Sequence, residues 1–176
     1  MAGPIVGIIV GSASDLKVAS KAAETLDEFG VEFEVGVASA HRTPEDVSNY
    51  ASGAAARGIK VIIAMAGLSA ALPGVIAAQT TLPVIGVPIA SGPLSGVDAL
   101  AAIAQMPPGV PVACTGIDGA KNAALMALRI IATQDGAISR KLANWALESA
   151  KSVRQSRDKI NETENMTPVP ESAFTS

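Results

Sequence analysis

Five short runs rich in valine, isoleucine and alanine, each followed by a stretch with helical spacing, constrain this chain more than any other feature. They occupy residues 5–10, 31–38, 61–66, 83–89 and 110–116. All five are predicted as strands buried on both faces. After the first run, Val18, Ala22, Leu26 and Phe29 share one helical face, and Gly30 stands where a C-terminal cap belongs. After the second, Thr43 is placed to cap a helix with Pro44 at its first position and Asp46 three residues past the cap. The third run leads through Gly67 to Gly74 into a short helical piece. The fourth leads into residues 96–105 and the fifth into 118–133.

Strand and helix alternating five times predict a parallel sheet with right-handed crossovers. The fold class is therefore α/β: a flavodoxin-like three-layer sandwich with a central five-stranded parallel sheet and an extra C-terminal helix. That helix starts near Ala137, and its stripe of Ile138, Leu142 and Trp145 is expected to face a neighbouring subunit. The 176 residues suit one domain over residues 1–165, with 166–176 as a flexible tail.

Charge is spread unevenly. Between Val61 and Ile117 only Asp98 is ionised, whereas residues 151–164 carry both signs densely. The uncharged stretch 61–97 is cut by Pro73, Pro83, Pro88 and Pro93 into pieces too short to span a bilayer. Hydrophobic residues make up 49% before the 16 glycines are added. With them the apolar share is about 58%, above the roughly 45–50% of soluble domains, an excess suited to subunit interfaces. A net charge of −3 and 3% aromatics leave neither a basic footprint nor stacking platforms for nucleic acid. Met1 leads straight into an apolar run without a basic secretory leader, so a cytoplasmic location is expected. One cysteine, Cys114, and one histidine, His41, make a zinc cage implausible, and no metal or other cofactor is expected.

In open sheets of this kind ligands bind beyond the carboxyl ends of the strands. Three loops there are chemically loaded. Gly11-Ser12-Ala13-Ser14-Asp15 offers close backbone approach, two hydroxyls and free amides at a helix start, which suit a phosphate or carboxylate. The same serines also suit a plain capped turn. Asp15 can accept from ribose hydroxyls, or serve only as a favourable charge in the first helical turn. In Ser39-Ala40-His41-Arg42-Thr43-Pro44, His41 is the natural acid/base group near neutral pH, and Arg42 presents a fork of donors to a phosphate. Each also has an ordinary structural alternative. Ala66-Gly67-Leu68-Ser69-Ala70-Ala71-Leu72-Pro73-Gly74 is small and apolar, fit to hold a neutral molecule such as carbon dioxide or simply to pack tightly.

Other users of this fold fail on particular residues. A phosphate-accepting receiver needs an aspartate where Ala66 and Gly67 stand, a flavodoxin needs aromatic residues in these loops, and no Walker lysine follows a glycine-rich loop.

The three loops, with Pro83-Val84-Ile85-Gly86-Val87-Pro88, Leu94-Ser95-Gly96-Val97-Asp98, Gln105-Met106-Pro107 and Asn122-Ala123-Ala124, resemble one family. It is the catalytic subunit of phosphoribosylaminoimidazole carboxylase, in its bacterial N5-carboxyaminoimidazole ribonucleotide mutase form. The resemblance runs in order from about Val6 to Trp145. It implies an isomerase of purine biosynthesis that moves a carboxylate from an exocyclic nitrogen to an imidazole carbon. It also implies a ribonucleotide substrate, no metal, ATP or biotin, and a homo-octamer. His41 takes the role of proton carrier, and Ser12, Asp15 and Arg42 bind the nucleotide. Gly11, Ser14, Ser39, Ala40, Gly67, Ser69, Ala70 and Leu72 complete the candidate substrate site.

One position departs from the pattern. The mutases usually carry a second histidine where this chain has Ala71, and the direct carboxylases, which use aminoimidazole ribonucleotide and carbon dioxide, lack it. Those carboxylases usually place lysine after the first histidine, so Arg42 with Pro44 favours the mutase. A nucleotide-binding assembly protein without catalysis is the alternative from a different class.

Overall fold

In the computed structural model, which describes residues 3–157, 160 and 165–174, the apolar runs form one sheet. The elements in order are β1 (Val6–Val10), α1 (Leu16–Glu28), β2 (Phe33–Val37), α2 (Pro44–Ala54), β3 (Val61–Ala66), α3 (Leu72–Ala77), β4 (Val84–Pro88), α4 (Val97–Ala104), β5 (Ala113–Cys114), α5 (Ala120–Ala132) and α6 (Gly136–Gln155). Sheet order is β2-β1-β3-β4-β5, with every pairing parallel. That is the flavodoxin-like order, whose direction of growth reverses between β1 and β3.

Period-two side chains of the central strands feed two separate cores. Ile8, Val61, Ile63 and Met65 meet Ala22 and Leu26 of α1 and Ala124 and Leu128 of α5 on one face. Ile9, Ile62 and Ala64 meet Val47 and Ala51 of α2, Ile76 of α3 and Ile103 of α4 on the other. Each large aliphatic side chain fully buried in these cores contributes about 1.5–3 kcal/mol. Continuous apolar sequence is thus what a strand needs when helices cover both its faces.

Two of the five runs are not buried on both faces. Val35 and Val37 of β2 are 46% and 55% exposed, and β5 shrinks to two partly exposed residues. The reason is topological: these strands form the two edges of the sheet.

The α6 stripe also differs from expectation. Ile138 is buried in the core of α1 and α5, Leu142 and Trp145 pack against it, and Lys121 Nζ lies 5.9 Å from the Trp145 ring. Lys141 Nζ donates to the Phe29 carbonyl at 2.6 Å, clasping α6 to the end of α1. The stripe therefore packs against this chain's own core. Gly30 takes φ +68°, as a C-terminal cap requires. Of the expected tail 166–176, residues 175 and 176 lie outside the described residues. Within it, Glu171–Phe174 forms a 3-10 turn, with Arg157 4.0 Å from the centroid of the Phe174 ring.

Tyr50 of α2 lies over Gly7 of β1, where a Cβ would overlap its hydroxyl. Arg57 stacks on the ring at 4.8 Å and pairs with Glu34 at 2.9 Å. Burial, and after it the nearby Glu34 carboxylate, push the phenol pKa up. Burial would raise Glu34 too, but the Arg57 hydrogen bond and charge outweigh it and hold that carboxyl below its usual value. The Tyr50 hydroxyl itself is shielded from solvent and makes no hydrogen bond among the described residues. Tyr50→Phe is therefore expected to leave stability unchanged or raise it by up to about 1 kcal/mol, because a desolvated, unpaired polar group is removed. Urea unfolding checks this, and a loss of 1 kcal/mol or more would show a hydrogen bond that the geometry lacks.

Candidate active site

The loops that follow β1, β2 and β3 converge on one cleft of about 470 Å³. It lies at the carboxyl ends of β1 and β3, where the order of the sheet reverses. Gly11, Ser12, Ser14, Asp15, Ser39, Ala40, His41, Arg42, Gly67, Ala70 and Leu72 all line it. Ser69 alone of the candidate residues does not. Its side chain is exposed, while the neighbouring Ala70 is buried.

Ser12 caps the 3-10 turn Ala13–Asp15, its Oγ accepting from the Ser14 amide at 3.4 Å. Ser14 Oγ donates toward Ser12 Oγ at 3.0 Å and Asp15 Oδ1 at 3.1 Å. Asp15 stands at the N-cap of α1 but makes no capping hydrogen bond. Asp15 lines the cleft, beside the orphan amides of a helix start.

Thr43 does not cap α2 through its side chain. Its Oγ1 instead accepts from the Ser39 amide at 3.0 Å, and its own amide donates to the Ser39 carbonyl at 2.8 Å. Ser39 Oγ in turn accepts from the Arg42 amide at 3.3 Å. These bonds close residues 39–43 into a tight loop with an exposed His41 within it. The Thr43 hydroxyl is drawn to Ser39 because the loop must fold back on itself before Pro44 starts the helix. Arg42 Nη2 donates to the Gly11 carbonyl at 3.3 Å, tying this loop to the first and leaving further guanidinium donors for an anion.

The third loop forms the opposite wall. Ala66, Gly67, Leu68, Ala70, Ala71 and Leu72 line it without a polar side chain. Leu68 and Ala70 adopt φ of +56° and +37°, values L-residues rarely take. Ala71, at the N-cap of α3, lines the cleft too, so His41 is the only imidazole here.

The cleft also includes residues that sequence reasoning did not select: Ala66, Leu68, Ala71 and Ser91. Ser91 comes from the loop after β4, and its available signal was position alone, a serine just beyond the carboxyl end of a buried strand. Together the walls offer an anion cradle, a carboxylate for hydroxyls, an imidazole, and a dry face for a small apolar molecule.

The chain is similar to known proteins over most of its length. The family described as AIR carboxylase matches residues 5–152. The N5-carboxyaminoimidazole ribonucleotide mutase of Pyrococcus horikoshii is 52% identical over 159 residues, covering 90% of this chain and 90% of that protein. The mutase of Pyrococcus abyssi is 58% identical over 142 residues, covering 81% and 82%. Among solved structures, Treponema denticola PurE aligns with a TM-score of 0.81 at 32% identity, over 89% of this chain and 98% of that one.

Proposed function

Because the chain belongs to the AIR carboxylase family, we propose that it is the N5-carboxyaminoimidazole ribonucleotide mutase of de novo purine biosynthesis. The observation that carries this reading is the pairing of His41 and Arg42 with a wall of small apolar residues in one cleft.

The phosphate rests on the amides and hydroxyls of the first loop and on Arg42, and Asp15 accepts from ribose hydroxyls. The carbamate C–N bond breaks with its electron pair returning to nitrogen, which takes a proton from His41. Carbon dioxide is released against the apolar wall, where confinement keeps it beside the ring. The electron-rich imidazole carbon then attacks it, forming the C–C bond. That carbon's own proton passes back to His41, and aromaticity returns. One proton is given and one recovered, so a single imidazole is sufficient for the turnover. Ala71 in place of a second histidine is therefore compatible with catalysis.

Direct carboxylation of aminoimidazole ribonucleotide is less well supported, given Arg42, Pro44 and relatives that carry the mutase name. The enzyme acts in the cytoplasm as a homo-octamer. The exposed apolar side chains of Leu94 and Val97, 58% and 60% accessible, support its assembly from copies of itself.

Comparing kcat/KM for the carboxyamino nucleotide with that for aminoimidazole ribonucleotide plus bicarbonate tests the reading. The first is expected to exceed the second. The reverse order would make the protein a direct carboxylase, and tight binding without conversion of either would make it a binding module.

A further inference from the structure

We infer that Ser91 is the hydrogen-bond donor to the migrating carboxylate, and that Asp118 is the positioning residue that holds Ser91 at the cleft. The inference rests on the mutase reading. A carbamate, carbon dioxide and a ring carboxylate succeed one another beside an apolar wall, and two of the three are anions. An anion against such a wall is costly without a donor. The third loop provides no side-chain donor to the cleft, and the Ala70 amide is already committed to the Gly67 carbonyl at 3.1 Å. Ser91 places a hydroxyl on that side of the cleft.

Its position is fixed by two interlocked loops. A Cβ on Gly67 would overlap Ser91 Oγ, and a Cβ on Gly92 would lie 2.6 Å from Leu68 Cδ2. Serine thus fits over one glycine while leucine fits over the other. The sheet ladder ends just before, where the Ile89 amide donates to the Ala66 carbonyl at 2.9 Å.

Asp118, in the loop between β5 and α5, then takes over. Its Oδ1 accepts from the Ala90 amide at 3.0 Å, and its own amide donates to the Pro88 carbonyl at 2.8 Å. The residues on both sides of Ile89 are bracketed, and Ser91 follows directly.

Backbone strain marks the same place. Of the five non-glycine residues with positive φ among those described, Leu68, Ala70, Ser95 and Asp118 belong to these loops, and only Asn165 lies elsewhere. Such conformations persist where the surroundings enforce them, and they gather at functional sites.

The hydroxyl keeps its proton throughout. It follows the same pair of carboxylate oxygens while their carbon exchanges a bond to nitrogen for a bond to the ring.

Ser91→Ala is expected to raise KM for the carboxyamino nucleotide about 10- to 100-fold, as for loss of one hydrogen bond to a charged group already present in the bound substrate, with kcat changed less than about threefold. Some turnovers should also end as free aminoimidazole ribonucleotide and carbon dioxide. Asp118→Ala should reproduce this split. Asp118→Asn should restore near-normal KM, because its amide oxygen can accept the same N–H and asparagine tolerates a left-handed backbone. Unchanged KM in Ser91→Ala, or a lowered kcat alone, overturns the role of Ser91. Equal impairment in Asp118→Asn and Asp118→Ala overturns that of Asp118. A wild-type enzyme inert toward the carboxyamino nucleotide sinks the mutase reading and this inference with it, whereas an active wild type matched by Ser91→Ala sinks the inference alone.

Discussion

His41→Asn folds, binds the carboxyamino nucleotide and loses turnover by about 10²–10⁴-fold, the usual contribution of a positioned general acid/base. Folding is spared because the imidazole is exposed and residues 39–43 are closed by Ser39 and Thr43. Binding is spared because the phosphate and ribose contacts come from other side chains. The loss is expected in full because His41 is the only histidine in the chain, and Ala71 across the same cleft has no group to move a proton. Steady-state kinetics with a parallel calorimetric Kd checks both halves. A variant with near-normal kcat would remove His41 from the chemistry, and one that failed to bind would make it a binding residue instead.

Arg42→Ala is expected to raise KM about 10²-fold or more while changing kcat little. Two losses combine in that variant. The guanidinium's charge-assisted bonds to the phosphate disappear, each worth about 1.5–3 kcal/mol. The 3.3 Å bond to the Gly11 carbonyl that joins the first two loops goes with them. Arg42→Lys restores charge but not the fork, so its KM should fall between the two. Initial-rate measurements over a wide nucleotide range decide this. A fall in kcat at constant KM would instead place Arg42 at the reacting end of the substrate.

Where each strand begins and ends was legible within a residue or two for β1, β3 and β4, because helices cover both their faces and apolar sequence runs unbroken to the last buried residue. Edge position was not legible. Residues 31–38 hold Glu32 and Glu34 between Val31, Phe33 and Val35, a sign of partial exposure, but that β2 has a neighbour on one side only, leaving Val35 and Val37 exposed, depends on sheet order. The α6 stripe was recognised, but its partner was not, since a helical face does not state which core it completes. Thr43 was placed correctly as the residue before α2. Its hydroxyl went to Ser39 because a closer acceptor and donor compete with the cap. At the site, His41, Arg42 and the first loop stood out because they combine reactive or donor groups with a helix start. Ser91 and Asp118 carry no such pattern. Their importance comes from hydrogen bonds between loops far apart in sequence, which no local spacing reveals.

The cleft lies where chain growth reverses, so its loops hang from opposite layers of the sandwich. The first leads into α1, seated on one core, and the second and third lead into α2 and α3, seated on the other. A nucleotide held as proposed would bridge two separately packed hydrophobic cores. A methyl group gained or lost deep in either one tilts its helices and changes the width of the seam, with every lining residue untouched. The width of the cleft is therefore expected to respond to core substitutions that never approach the substrate.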